Sequence, residues 1–80
     1  MEDNFSNIFI ERNFYFLLLS GVNEKDANTL SYYVESISPN DRIKNVDLNT
    51  LERSEITYSI LLESGQRFNK SIKHNLPFMT

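Results

Sequence analysis

An alternating pattern in the second half of the chain constrains its fold most strongly. From Glu55 to Glu63, apolar side chains occupy the even-numbered positions Ile56, Tyr58, Ile60 and Leu62. A period of two with β-branched and aromatic residues is typical of a strand with one buried face. A helix from Leu48 to Ser64 is the alternative, but it would scatter the apolar residues around the helix. The pattern therefore predicts a strand.

In the next segment the apolar residues, Phe68 and Ile72, also occupy even-numbered positions. A two-residue loop would pair even with odd positions and would break the shared apolar face, so the loop must hold an odd number of residues. A loop of residues 63–65, with its glycine left-handed, pairs Ile60 with Phe68 and Ile56 with Ile72. We therefore expect an antiparallel hairpin.

A helix is predicted from about Glu24 to Ile37. Asn23 is suited to cap its first turn, and Pro39 follows its end. One apolar stripe recurs at spacings of three and four and contains Ala27, Leu30, Tyr33, Val34 and Ile37. This stripe should face the core, and Tyr32 should point nearly opposite to it.

Three further segments complete the chain. The segment from Arg42 to Asn49 is predicted as a short strand or an irregular edge. Residues 7–19 are predicted as a strand, because their isoleucine, phenylalanine and tyrosine residues suit a pleated surface, although Ser6 equally suits the cap of a helix there. The segment from Lys73 to Thr80 is predicted as a carboxyl-terminal tail.

These elements indicate one α+β domain spanning residues 1–80. We expect one main helix, about 24–37, packed on a small antiparallel sheet of three to five strands in two layers. The chain has 80 residues and no cysteine, so it must be held together by packing or by self-association rather than by disulfides.

Reactive groups are scarce in this sequence. It contains one histidine, His74, no cysteine and two glycines. Nucleophilic catalysis, metal binding and phosphate-binding loops each need clusters of such residues, and none can be assembled here. His74 lacks partners in the sequence and is interpreted as an exposed bystander. We therefore expect no enzyme, with no catalytic residue, no metal and no cofactor.

Hydropathy and charge argue against a membrane role. The longest apolar run, Phe14 to Leu19, is far shorter than the roughly 20 residues that cross a bilayer as a helix. The amino terminus is acidic where a secretory signal is basic, and the net charge of the chain is −3. These features favour an acidic cytoplasmic protein.

The supply of aromatic residues suggests a binding function. Six phenylalanines and four tyrosines are more than one small core easily hides, and large rigid aromatic side chains on a surface are typical interface anchors. We expect a non-enzymatic protein that inhibits or modulates a larger protein or ribonucleoprotein complex, with self-pairing as a homodimer as another outcome. The predicted contact residues are Glu24, Asn28, Tyr32 and Glu35.

Residue usage adds a hypothesis about origin. The chain has ten asparagines and a single alanine, Ala27, and it is rich in isoleucine, lysine and phenylalanine. Asparagine, isoleucine, lysine and phenylalanine are encoded by AT-rich codons, which favours a gene from a low-GC bacterium, a mobile element or a phage. Small proteins of such elements often antagonise host defence, so an anti-CRISPR or similar counter-defence protein is the sharpest form of the binding hypothesis.

A nucleic-acid-binding regulator is the alternative. Near the carboxyl terminus lie the basic residues Arg67, Lys70, Lys73 and His74, with Phe68 among them. Basic strands with aromatic residues bind single-stranded nucleic acid. Four such residues on an acidic chain make a weak electrostatic footprint, so this hypothesis ranks second.

Overall fold

Two helices are followed by three strands in the computed structural model, which describes residues 7–52 and 54–74. The elements are α1 (Ile8–Leu19), α2 (Glu24–Ile37), β1 (Ile43–Glu52), β2 (Glu55–Leu62) and β3 (Arg67–Lys73). The strands form an antiparallel sheet in the order β1-β2-β3, and the helices pack on it. The α+β fold with an antiparallel sheet is confirmed. The expectation of one main helix is wrong, because α1 is a second helix.

The β2–β3 hairpin has the register that the parity predicts. Ile60 pairs with Phe68, and Ile56 pairs with Ile72. The loop contains residues 63–65 and is closed by a hydrogen bond of 2.8 Å from the Leu62 amide to the Gln66 carbonyl. Gly65 has a φ of 99°, which L-residues rarely adopt.

The substitution Gly65→Ala is expected to lower the free energy of unfolding by about 1–2 kcal/mol, as measured by urea denaturation. Apart from the glycine itself and its two chain neighbours, no heavy atom lies within 4 Å of the position that an added Cβ would take, so the cost is backbone strain alone. Gln66→Ala, on the exposed neighbour with ordinary φ, is the control and should be nearly neutral. A Gly65→Ala variant as stable as the wild type would show that the positive φ at this position imposes no strain on an L-residue.

Helix α2 agrees with the prediction at both ends. The side chain of Asn23 accepts a hydrogen bond of 2.9 Å from the Asp26 amide and so caps the first turn. Ala27, Leu30 and Val34 are fully buried, whereas Tyr32 is exposed. Three members of the predicted apolar stripe of α2 are therefore in the core, and the other two, Tyr33 and Ile37, are only partly buried.

Helix α1 replaces the strand predicted over residues 7–19, so that prediction is wrong. Asn7 caps the helix by accepting hydrogen bonds from the amides of Phe9 and Ile10 at 2.7 and 3.1 Å. The alternative cap, Ser6, lies outside the described residues. The buried positions of α1 follow helical spacing and are Ile10, Asn13, Phe14 and Leu17.

The core lies between the helices and one face of the sheet. It contains Phe14, Leu17, Val22, Ala27, Leu30, Val34, Ile43, Val46, Tyr58, Ile60 and Leu62. β1 is a strand, as expected over 42–49, and it extends to Glu52. Within the described ranges, neither helix is long and apolar enough to cross a membrane.

Asn13 joins α1 to the beginning of β1. Its side chain is buried, donates to the Asp41 carbonyl at 3.0 Å and accepts from the Ile43 amide at 2.9 Å. The Asp41 carboxylate in turn accepts hydrogen bonds from the Ser38 hydroxyl and from the Ser64 amide. Hydrogen bonding, chiefly from the Ser64 side chain, lowers the pKa of Asp41 below its ordinary value of 3.8.

The carboxyl-terminal boundary differs from the predicted tail over 73–80. Lys73 is the last residue of β3, and the His74 amide donates a hydrogen bond of 2.6 Å to the Ser54 carbonyl. Residues 75–80 lie outside the described part of the chain.

Candidate functional site

A buried polar cluster surrounds the carboxylate of Asp26. Only 1 % of this residue is exposed. Its Oδ2 atom lies 3.0 Å from Asn23 Nδ2, 2.5 Å from the Tyr58 hydroxyl oxygen and 2.8 Å from His74 Nε2. The first turn of α2, the middle of β2 and the residue that follows β3 therefore meet at one oxygen atom. We call these four residues the Asp26 cluster.

Local structure explains how the members come together. Asp26 follows the cap of α2 by three residues, where a carboxylate suits the positive end of the helix dipole. The alternation of β2 turns Tyr58 towards the helices, and the β2–β3 register pairs it with Lys70. His74, four residues after Lys70, shares its strand parity and reaches the same side of the sheet.

Burial controls the protonation of Tyr58. The side chain is fully buried, and this desolvation raises the pKa of its hydroxyl well above the ordinary value of 10.0. The hydrogen bond to Asp26 and the negative charge of Asp26 raise the pKa further. Tyr58 is therefore a neutral donor throughout the ordinary pH range, and Asp26 is its acceptor.

His74 is not the exposed bystander that its position in the sequence suggests, so that interpretation is wrong. Its side chain is 25 % exposed and contacts Asp26, whose side chain is 2 % exposed. A histidine beside a carboxylate occurs in general-base and nucleophile pairs. Here the polar partners of His74 within 7–52 and 54–74 are the Asp26 carboxylate and the Ser54 carbonyl, neither of which is a hydroxyl or thiol that the histidine could deprotonate.

The Asp26 cluster therefore fits a structural joint between α2 and the sheet. Its buried oxygen is surrounded by donors of this chain, which leaves it as an acceptor for the fold rather than for a substrate. In the described part of the chain, no three histidine, aspartate or glutamate side chains lie together where they could hold a metal ion.

The four predicted interface residues separate into two groups. Glu24, Asn28 and Tyr32 are exposed at successive turns of α2 and form one continuous surface, which we call the α2 face. Glu35 has another role. Its carboxylate accepts hydrogen bonds of 3.1 Å from Asn7 Nδ2 and from the Asn40 amide, so it ties α2 to α1 and to the following turn.

The four basic residues of the nucleic-acid alternative do not form one surface. Strand alternation turns Arg67 and Lys73 to the exposed side of β3. Lys70 lies on the side of the helices, with its Nζ atom 4.8 Å from the centre of the Tyr33 ring. His74 is directed to Asp26. The strand therefore divides the predicted basic cluster between the two sides of the sheet.

Helix α1 carries an exposed surface that no sequence pattern predicted. On α1, Ile8 is 54 %, Tyr15 42 % and Leu19 89 % exposed. With Arg12, these residues recur at spacings of four, three and four along one side of the helix. We call Ile8, Arg12, Tyr15 and Leu19 the α1 stripe.

Two signals could have indicated these features. A tyrosine on the buried face of a strand needs a partner for its hydroxyl, which points to a buried acceptor such as Asp26. On α1, the apolar residues outnumber the positions that one buried helix face can hold, which points to a second covered face. The strand interpretation of residues 7–19 concealed the second signal.

No family model, curated protein or solved structure matches this chain. The functional assignment therefore depends on the geometry of its own surfaces.

Proposed function

We propose that this chain is a non-enzymatic protein-binding module that inhibits or modulates a larger protein or ribonucleoprotein complex. One observation supports this function above all. The described residues include five exposed large apolar side chains, and four of them, Ile8, Tyr15, Leu19 and Tyr32, lie on the two helices. Large exposed apolar side chains, and tyrosines in particular, are typical anchors of protein-binding sites.

The α2 face is the proposed contact surface for the larger partner. Tyr32 is 41 % exposed and offers a rigid ring with a polar tip, the kind of side chain that dominates interface energies. Glu24, at the first turn, adds a negative charge, and Asn28 lies between the two. This combination suits a partner surface with an apolar pocket beside basic residues.

The sharper form of this proposal is a cytoplasmic counter-defence protein of a phage or mobile element, acting as anti-CRISPR proteins do. Its support is the small acidic chain, with a net charge of −3, and a residue usage that AT-rich codons favour. An acidic surface is suited to occupying a groove that otherwise holds nucleic acid.

The test is recovery of a partner by the tagged full-length chain from lysate of its source cell. We expect Tyr32→Ala to reduce the recovered partner at least about tenfold, because truncation of an anchoring tyrosine often costs 2 kcal/mol or more. Leu48→Ala is the matched control, since Leu48 is similarly exposed but lies on β1. Equal recovery by both variants and the wild type would remove the α2 face from the proposal.

The same preparation tests the nucleic-acid alternative. Retention on single-stranded DNA that falls steeply with salt, and is lost in Lys70→Glu, would favour that function over protein binding. The division of the basic residues between the two sides of β3 weakens this alternative.

A further inference from the structure

Helix α1 is apolar on more than one side. Nine of its 12 residues are apolar, all except Glu11, Arg12 and Asn13. One side, with Ile10, Phe14 and Leu17, is buried against the rest of the protein. A helix that is apolar all round is normally covered all round. In a single copy the α1 stripe is exposed, so a second surface is needed to cover it.

The spacing of the α1 stripe is that of a helix-pairing seam. Positions 8, 12, 15 and 19 alternate between steps of four and three, as the core positions of a two-stranded coiled coil do. These residues line a surface groove of about 430 Å³ together with Glu11, Phe16 and Arg42. The groove therefore carries apolar side chains and both signs of charge.

We propose that the α1 stripe docks a second copy of this chain, with the two α1 helices antiparallel. In this arrangement Ile8 of each copy faces Leu19 of the other at the two ends of the seam. In the middle, Arg12 of each copy faces the Tyr15 ring of the other in a cation–π contact. Glu11 lies one helical turn before Tyr15 on the same helix. Every layer is complementary under a two-fold axis.

A parallel pairing lacks this complementarity. It would place the two copies of Arg12 directly opposite each other, where like charges repel. The self-complementary pairing of Arg12 with Tyr15 thus favours a second copy in the antiparallel direction.

The interface is short, because 12 helical residues extend only about 18 Å. We therefore expect a concentration-dependent dimer rather than a permanent one. Dimerisation goes beyond the proposed function, since it uses α1 and leaves the α2 face of each copy exposed. Two such faces on one particle would strengthen binding to a partner with paired sites.

Sedimentation equilibrium of the full-length chain from about 1 μM to about 1 mM tests dimerisation. We expect the mass to rise from 9.4 kDa towards twice that value. Tyr15→Ala should weaken the dimer at least about tenfold. Tyr32→Ala is the matched control, because the two tyrosines are almost equally exposed, and it should leave the dimer unchanged.

An exchange of charges tests the direction of the helices. Leu19→Glu and Ile8→Lys should each be monomeric, because each places an unpaired charge against an apolar side chain. An equimolar mixture of the two variants should dimerise again, since antiparallel helices bring the new glutamate and lysine together and leave one Ile8–Leu19 pair intact. Circular dichroism checks that both variants are folded; both sites are exposed, so we expect normal spectra.

Three results would overturn the proposal. The first is a wild-type mass of 9.4 kDa throughout the concentration range. The second is a dimer that neither Leu19→Glu nor Ile8→Lys weakens, which would place the interface elsewhere. The third is failure of the mixture to dimerise, which would exclude the antiparallel register. If the protein is monomeric but partner recovery still depends on Tyr32, the dimer proposal is wrong and the proposed function remains supported.

Discussion

Replacement of Asp26 by alanine is expected to lower the free energy of unfolding by about 3–5 kcal/mol. The change leaves the buried Tyr58 hydroxyl, Asn23 Nδ2 and His74 Nε2 without their shared acceptor. A domain of this length has a total stability of about 4–12 kcal/mol, so the variant should be close to unfolding. Urea denaturation followed by circular dichroism measures the loss.

A matched control and a second variant keep this prediction testable. Asp47→Ala removes an exposed aspartate from β1 and should change stability by less than about 0.5 kcal/mol. Tyr58→Phe should cost about 1–2 kcal/mol in the wild type, because it removes one donor and keeps the ring. In the Asp26→Ala background the same change should be neutral or stabilising, because it removes a donor without an acceptor.

Additive costs of the two substitutions would contradict the shared hydrogen bond. So would an Asp26→Ala variant with the stability of the Asp47→Ala control. Should Asp26→Ala fail to fold, Tyr58→Phe alone still measures the joint, and a cost below about 0.3 kcal/mol would remove Tyr58 from it.

Replacement of Asn13 by alanine is the second large effect, an expected loss of about 2–4 kcal/mol. The Asn13 side chain makes two hydrogen bonds to the backbone where β1 begins, at the Asp41 carbonyl and the Ile43 amide. Both backbone groups would lose their partner next to the core. Thermal or urea unfolding measures the loss.

Asn28→Ala is the control for this substitution. Asn28 is an exposed asparagine in α2, and alanine favours helices, so its replacement should be neutral or slightly stabilising. Equal stability of the Asn13→Ala and Asn28→Ala variants would show that the contacts of Asn13 do not hold α1 to the sheet.

Local signals were sufficient for the second helix and the hairpin. Asn23, at the cap, and the stripe through Leu30 define α2, because capping and helical spacing involve residues close in the sequence. The parity of Ile60 and Phe68 determines the hairpin register, because side chains on adjacent strands must share one face. Gly65 supplies the turn that this register needs.

Local signals failed for α1. Ile8, Tyr15 and Leu19 stay exposed in one copy, yet in the sequence they look the same as the core residues Phe14 and Leu17. Apolar side chains on both sides of a helix obscure its 3.6-residue period. The aromatic residues among them then suggest a strand, because aromatic side chains are common in strands. The residues that concealed the helix are those that we assign to the dimer interface.

The sequence by itself determined α2, the β2–β3 hairpin and which of their side chains face inward, since these follow from spacing along a few residues. Only the tertiary structure decided that Asp26, Tyr58 and His74 share one oxygen, that Glu35 belongs to the fold, and that β3 separates Arg67 from Lys70. These features depend on contacts between segments that are far apart in the chain. No local pattern specifies them, because they depend on how the helices and the sheet dock through the whole core.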